Sequence, residues 1–231
     1  MKSARLNIFI YAACLLVAAV GILYAQEIKT RYTGLRIWEW ENIAWLGLGI
    51  PFLFLQSAAG LPNFIDTNIP NKHRFLQPLV FGAVFGILDI LVIKVLQHPE
   101  SYTELPPFLQ PFPYSIFLFF SGALEVEVFY RLIPMTLLLL LGNKIANGRY
   151  YDHFMWSAIL LTALREPLEQ FPTGQLAYIL YAFLTGLCMN AWQAYYFKKA
   201  GFLASLSMRL GHYLFWHILL GVYVQFVELA P

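Results

Sequence analysis

The chain has 231 residues, of which 59% are hydrophobic and only 12% charged, with a mean hydropathy of +0.61 and a net charge of +2. Soluble domains average about 25% charged residues, so a soluble globular protein is excluded and an integral membrane protein is expected. No basic run or aromatic-interleaved basic patch offers nucleic acid a footing, and Cys14 and Cys188 lie in apolar segments without metal-ligand spacing.

Apolar stretches of about 20 residues, the length that crosses a bilayer, occur near 5–25, 42–61, 76–96, 113–141, 154–171, 175–197 and 202–227. They predict an all-α polytopic membrane bundle of about seven transmembrane helices, one domain spanning 1–231. The first stretch follows Lys2 and Arg5, as a signal peptide would. It is longer than a usual signal core, and Leu23 is too large for a typical cleavage position, so it reads as a retained span. The 62–75 loop is rich in turn residues, and Pro106, Pro107, Pro111 and Pro113 stiffen the approach to the fourth span.

Lys and Arg concentrate in cytoplasmic loops. With the N-terminus inside, the pairs Lys72 and Arg74, Lys144 and Arg149, and Lys198 and Lys199 are all cytoplasmic, while 97–112 and 171–175 contain no Lys or Arg. The 26–41 loop, with Lys29, Arg31 and Arg36, is the exception. The pattern predicts an N-in, C-out protein.

Charges interrupt the fourth span at Leu124-Glu-Val-Glu-Val-Phe-Tyr-Arg131. A charge near the bilayer centre costs at least about 2.5–3.5 kcal/mol, and such residues pair, line a wet cavity or carry function. Glu127 and Arg131 are four apart and share a helix face, which predicts a charge pair. Glu125 lies about 200° from Glu127 around the helix and has no local partner, which points to a cavity or a contact with another helix. The fifth span ends in Arg165-Glu-Pro-Leu-Glu-Gln170, and the seventh carries Arg209, Tyr213 and His217 at spacing four, with His212 and Trp216 beside them. Asp89, Lys94, Asn190 and Gln193 are weaker signals, read as interhelical hydrogen-bond partners. A shared polar cavity is the simplest way for these groups to find partners.

Three of these segments together resemble the CPBP family, the CAAX-prenyl-protease and bacteriocin-immunity (Abi) type of intramembrane endopeptidases. Glu-Val-Phe-Tyr-Arg at 127–131 is similar to the family's Glu-Glu-x-x-x-Arg motif, with Val126 on the first Glu position. The stretch from Trp156 to Pro172 resembles its Phe-x-x-x-His helix, with Leu161 and Arg165 on the motif positions, or Glu166 and Gln170 in a second register. The stretch from Gly201 to Tyr213 resembles the His-x-x-x-Asn/Asp helix, with Arg209 and Tyr213 in place or, shifted by three, His212. The resemblance covers about residues 115–217, within a motif-bearing core at about 113–227, and only Glu127 and Arg131 are identical at motif positions.

The resemblance implies a glutamate acting as general base on water, with His and Asn positioning water, a divalent metal such as Zn, or the oxyanion. It also implies a membrane-embedded or prenylated peptide as substrate, beside the lipid bilayer as partner. The expected location on this reading is the cytoplasmic membrane of a prokaryote. Val126 is no base, and Arg165 and Arg209 repel a metal. A diverged peptidase would use Glu125 or Glu127 as base and His212, His217 and Gln170 to hold water or oxyanion. The alternative is a catalytically silent scaffold or peptide-binding member, with ion pairs such as Glu127–Arg209 and Glu169–Arg165. A third reading is an unrelated metal site drawn from Glu125, Glu127, Glu166, Glu169, His212 and His217.

Overall fold

The computed structural model describes residues 2–32 and 34–230, so Met1, Thr33 and Pro231 of the expected single domain lie outside the described residues. Seven helices and no strand are present among the described residues: α1 (Lys2–Ile28), α2 (Trp40–Leu55), α3 (Lys72–Gln97), α4 (114–144), α5 (Tyr151–Glu169), α6 (Leu176–Ala200) and α7 (Phe202–Glu228). Three of them, α1 from Arg5, α3 and α7, are long and apolar enough to cross a membrane. Their outward faces carry the expected apolar stripes: Phe9, Leu16, Val20 and Leu23 on α1, and Val80, Val84, Ile87, Leu91 and Val95 on α3 are exposed. These side chains have no protein to cover them, and lipid is the environment in which that costs nothing.

The second helix is shorter than the apolar stretch 42–61 predicts. It stops at Leu55, and turns and bends occupy residues 56–70. Asn7, buried on α1, gathers this segment by donating to Gln56 and Asn63 at 3.1 Å each and accepting from the Phe64 backbone N–H at 3.0 Å. Asn143, Tyr151 and Lys198 donate to the carbonyls of Ala58, Ala59 and Gly60. The α1 start, the α4 end, the α5 start and the α6 end therefore meet at one end of the bundle.

The opposite end is tied just as tightly. Lys94 pairs with Glu228 at 2.9 Å and donates to the Glu100 carbonyl, and Glu228 accepts from the Tyr102 N–H at 2.8 Å. Tyr114 donates to the Arg36 carbonyl at 2.6 Å, and Gln110 accepts from the Arg36 N–H.

Between the ends, α3 runs along α7 at very short range. A Cβ on Gly82 would stand 1.8 Å from the Met208 carbonyl oxygen, and one on Gly211 would stand 2.1 Å from that of Leu79. Small residues at such crossings let backbones approach as no larger side chain allows. The main apolar core lies among α1, α2, α4, α5, α6 and the start of α7, with Tyr11, Leu46, Leu124, Val128, Leu132, Phe197 and Phe202 all buried.

The long α4 is not a uniform helix. A π-helical turn occupies Val128–Leu132, directly after Glu127, and Pro134 follows it. Proline has no N–H to give to the ladder. The Phe129 carbonyl instead accepts from Arg165 of α5 at 2.8 Å, and the Tyr130 carbonyl takes a longer bond, 3.4 Å, from Arg131.

Candidate functional site

The charges in the apolar stretches do gather, but apart from Arg165–Glu169 their pairings differ from those the spacing predicts. Glu127 is fully buried, and neither Arg131 nor Arg209 forms an ion pair with it. Its Oε1 accepts from the Gln193 side-chain N–H at 2.9 Å and its Oε2 from the Ser205 hydroxyl. Gln193 turns its own oxygen to Arg131, 3.2 Å away. Arg131 also donates to Asn190, and the same Asn190 oxygen accepts from Arg209 at 3.0 Å. Arg209 closes the series with a two-point contact to Glu166, at 2.9 and 2.5 Å.

Seven side chains thus form one hydrogen-bonded chain, Ser205–Glu127–Gln193–Arg131–Asn190–Arg209–Glu166, drawn from α4, α5, α6 and α7. Two carboxylates balance two guanidiniums, the condition under which charges persist in a low-dielectric interior. The pairs predicted for Glu127 with Arg131 and with Arg209 are corrected accordingly. An amide stands between Glu127 and Arg131, and Arg209 reaches Glu166, whose carboxylate meets its guanidinium fork-to-fork.

Asn190 and Gln193 sit three apart on α6 and so share a face. They looked minor because they are uncharged, yet they are the links that join the charges. Asn190 also returns a hydrogen bond to the Gly186 carbonyl at 2.8 Å, which fixes the orientation of its amide.

Arg165 departs from the expected arrangement. It is exposed, pairs with Glu169 at 2.8 Å and lies over the Tyr130 ring, whose hydroxyl bonds Glu169. The Glu169–Arg165 pair is present as expected, but on the outside of the bundle. Arg165 points away because Glu166, one residue or about 100° further around α5, faces inward. Leu161 is likewise exposed.

Beside the buried chain lies a cavity of about 480 Å³, within the range of small-ligand sites. Glu125, Gln170, Arg209, His212 and His217 all line it, as do Glu166, Asp89 and Tyr213, whereas Glu127, Arg131 and Arg165 do not. The Arg209–Glu166 pair and Asn190 belong to both the cavity wall and the buried chain. Arg36 and Trp38 reach the cavity from the 29–39 loop and Phe108 from the 98–113 loop, so it opens toward the end held by Lys94 and Glu228.

The two histidines are each fixed by one partner. His212 meets Asp89 of α3 at 2.7 Å, and Tyr181 of α6 donates to the other Asp89 oxygen at 2.8 Å. His217 places Nδ1 2.8 Å from the Phe108 carbonyl and stacks on Phe119 with ring centroids 4.2 Å apart. Glu125 is half-buried and makes no hydrogen bond or ion pair among the described residues.

A divalent metal does not fit these donors. Glu166 is taken by Arg209 and His212 by Asp89, and among the described residues no three His, Cys, Asp or Glu side chains converge. The metal site drawn from Glu125, Glu127, Glu166, Glu169, His212 and His217 is dispersed between the sealed chain, the cavity and the outer surface.

Asp89, Arg36 and Trp38 are the cavity residues that the sequence left unassigned or undervalued. A lone aspartate in the third apolar stretch was a usable signal. Nothing in a loop's composition marks it as a cavity wall. No protein-family model, curated protein or solved structure matches the chain, so any family relation rests on the motif residues themselves.

Proposed function

We propose that the protein is a catalytically silent, CPBP-like membrane protein whose polar core is a scaffold and whose adjoining cavity binds a membrane-embedded or prenylated peptide. The observation that carries this reading is the state of Glu127. It is the one glutamate on the family's Glu-Glu-x-x-x-Arg register, it is fully buried with both oxygens engaged, and it does not line the cavity. A general base must reach the proton it abstracts, directly or through one water. Glu127 is instead a hydrogen-bond acceptor in a balanced structural chain.

On this reading all seven helices cross the bilayer, with the N-terminus inside and the C-terminus outside. Support comes from the alternation of helix ends between the two tied ends of the bundle and from the Lys and Arg content of the loops. The membrane in question is the cytoplasmic membrane of a prokaryote. The cavity then opens outward.

The test uses the purified protein in nanodiscs with a panel of prenylated and transmembrane peptides. Saturable binding without cleavage is expected. Cleavage products that vanish in Glu127→Gln would overturn the proposal.

A second reading, a diverged peptidase, is favoured by one observation: Glu125 and His217 line the same cavity and Glu125 is unengaged. It requires cleavage that is lost in both Glu125→Gln and His217→Ala.

A further inference from the structure

At the end of the bundle where α6 finishes, α3 and α6 meet through aromatic rings. Phe81 of α3 stacks on Trp192 of α6 with centroids 5.4 Å apart and meets Tyr196 at 6.1 Å, and Tyr195 stands edge-on to Trp192 at 6.0 Å. Phe81 and Trp192 are both exposed on the outside of the bundle, so this seam presents aromatic surface to lipid. Trp and Tyr are enriched at the headgroup level of a bilayer.

Two polar groups stand about one turn beyond these rings. Lys199 follows Tyr195 by four residues and Trp192 by seven, which keeps it on the same stripe of α6. It is exposed, holds Nζ 5.5 Å from the Tyr195 ring centroid and forms no ion pair among the described residues. Gln77 precedes Phe81 by four and continues the facing stripe of α3. Phe81 meets Trp192 while Asp89 meets Tyr181, so the two helices run antiparallel. Gln77 and Lys199 therefore leave the stack in the same direction and reach the same level. The Gln77 side-chain oxygen accepts from His73 Nδ1, which leaves its amide N–H groups to face outward. Basic side chains outnumber acidic ones at this end, with Lys72, Arg74, Arg149 and Lys198 against Asp66 and Asp152.

We infer that this seam seats an anionic phospholipid. The phosphate lies against the Lys199 ammonium and the Gln77 amide, and the first methylenes of an acyl chain cover the Phe81–Trp192 stack. Phosphate oxygens only accept, and both protein groups donate. Basic pockets between transmembrane helices are the usual seats of anionic headgroups. A free phosphate would leave the exposed rings uncovered, and a choline headgroup would bring its own cation against Lys199. The seat lies on the outer surface of the bundle, so the inference holds whether or not a peptide enters the cavity.

The full chain, stripped of lipid in uncharged maltoside, is titrated with phosphatidylglycerol and with phosphatidylcholine of the same acyl chains, and bound lipid is counted by native mass spectrometry. Phosphatidylglycerol should bind at least about fivefold more tightly, the effect of about 1 kcal/mol for one basic side chain at a headgroup. Lys199→Gln should remove most of that preference and leave the lipid-free thermal midpoint unchanged, because no protein ion pair is lost. Arg149→Gln, at an exposed base on the 145–150 loop, is the control for diffuse surface charge and should keep the preference. Phosphatidylglycerol with a diazirine near the top of its acyl chain should label residues within 77–85 or 188–196, and millimolar glycerol phosphate should not displace it.

Equal binding of the two lipids, an undiminished preference in Lys199→Gln, or the same loss in Lys199→Gln and Arg149→Gln overturns the inference. Labelling spread evenly over the lipid-facing helices does so as well. Displacement by glycerol phosphate at the affinity of the lipid itself would make this a phosphate site and also overturns it.

Discussion

Arg209 is the residue on which the buried chain turns, because it alone touches Glu166 at both oxygens and Asn190 as well. Replacing one member of a buried pair leaves the other charge uncompensated, at a typical cost of about 3–5 kcal/mol. Arg209→Leu should therefore lower the thermal midpoint sharply in detergent. The double variant Arg209→Leu with Glu166→Leu should recover much of the loss, since two apolar side chains of suitable size can replace a buried pair. A double variant no more stable than the single one would mean that Arg209 acts through Asn190 and not through Glu166.

At this scale the sequence was informative about where polarity is buried and poor about who meets whom. The acids and arginines of the fourth, fifth and seventh apolar stretches stand out by transfer cost alone. Their partners depend on the azimuth of each helix, and a rotation of about 100° is enough to leave Arg165 exposed and its neighbour Glu166 buried. The uncharged links Asn190 and Gln193 gave only a faint signal, because amides are far cheaper to bury than charges.

Among the elements, the α3–α7 crossing is the closest approach, and its tolerance should be correspondingly narrow. The Cβ of Gly211→Ala would fall 2.1 Å from the Leu79 carbonyl oxygen, a backbone atom that cannot swing aside. This substitution should force the helices apart, also displacing the Asp89–His212 contact between them. Gly47→Ala in α2 is the matched control: no atom lies within 4 Å of its Cβ position, and its backbone is helical. Alanine there should be neutral or stabilising by about 0.5–1 kcal/mol, the helix preference over glycine. Comparable thermal midpoints for the two variants would refute this account of the crossing.

The spacing Gly82-x-x-x-Gly86 in an apolar helix announces such a contact. The shortened α2 is harder to foresee, because its apolar composition continues past Leu55 to Leu61. What ends it is tertiary: Asn7, Asn143, Tyr151 and Lys198 hold the following segment in turns. The π-helical turn of α4 likewise has only Pro134 as its forerunner in sequence.

For the whole molecule, the testable quantity is the number of crossings. Fusing a reporter that is active only outside the cytoplasm to the C-terminus should give a positive signal, and fusing it within 145–150 should give none. A positive signal at 145–150 would require a different set of crossings. All-helical architecture was legible from hydropathy and charge spacing. A shared polar cavity was expected from the clustered charges, but its outline was not, because its wall is drawn from α3, α4, α5, α6, α7 and three connecting segments that no single stretch of sequence contains.

The buried chain of seven side chains also constrains how the molecule can be made. Glu127 and Arg131 are synthesised first and Glu166 next, but the amides that join them arrive with α6, and Ser205 and Arg209 arrive last, in α7. Until then a growing polypeptide holds charges whose partners in the folded bundle have not yet been made. Assembly of its second half is in effect conditional on the final helix, and a product that stops short of Phe202 is left marked by polar groups that nothing covers.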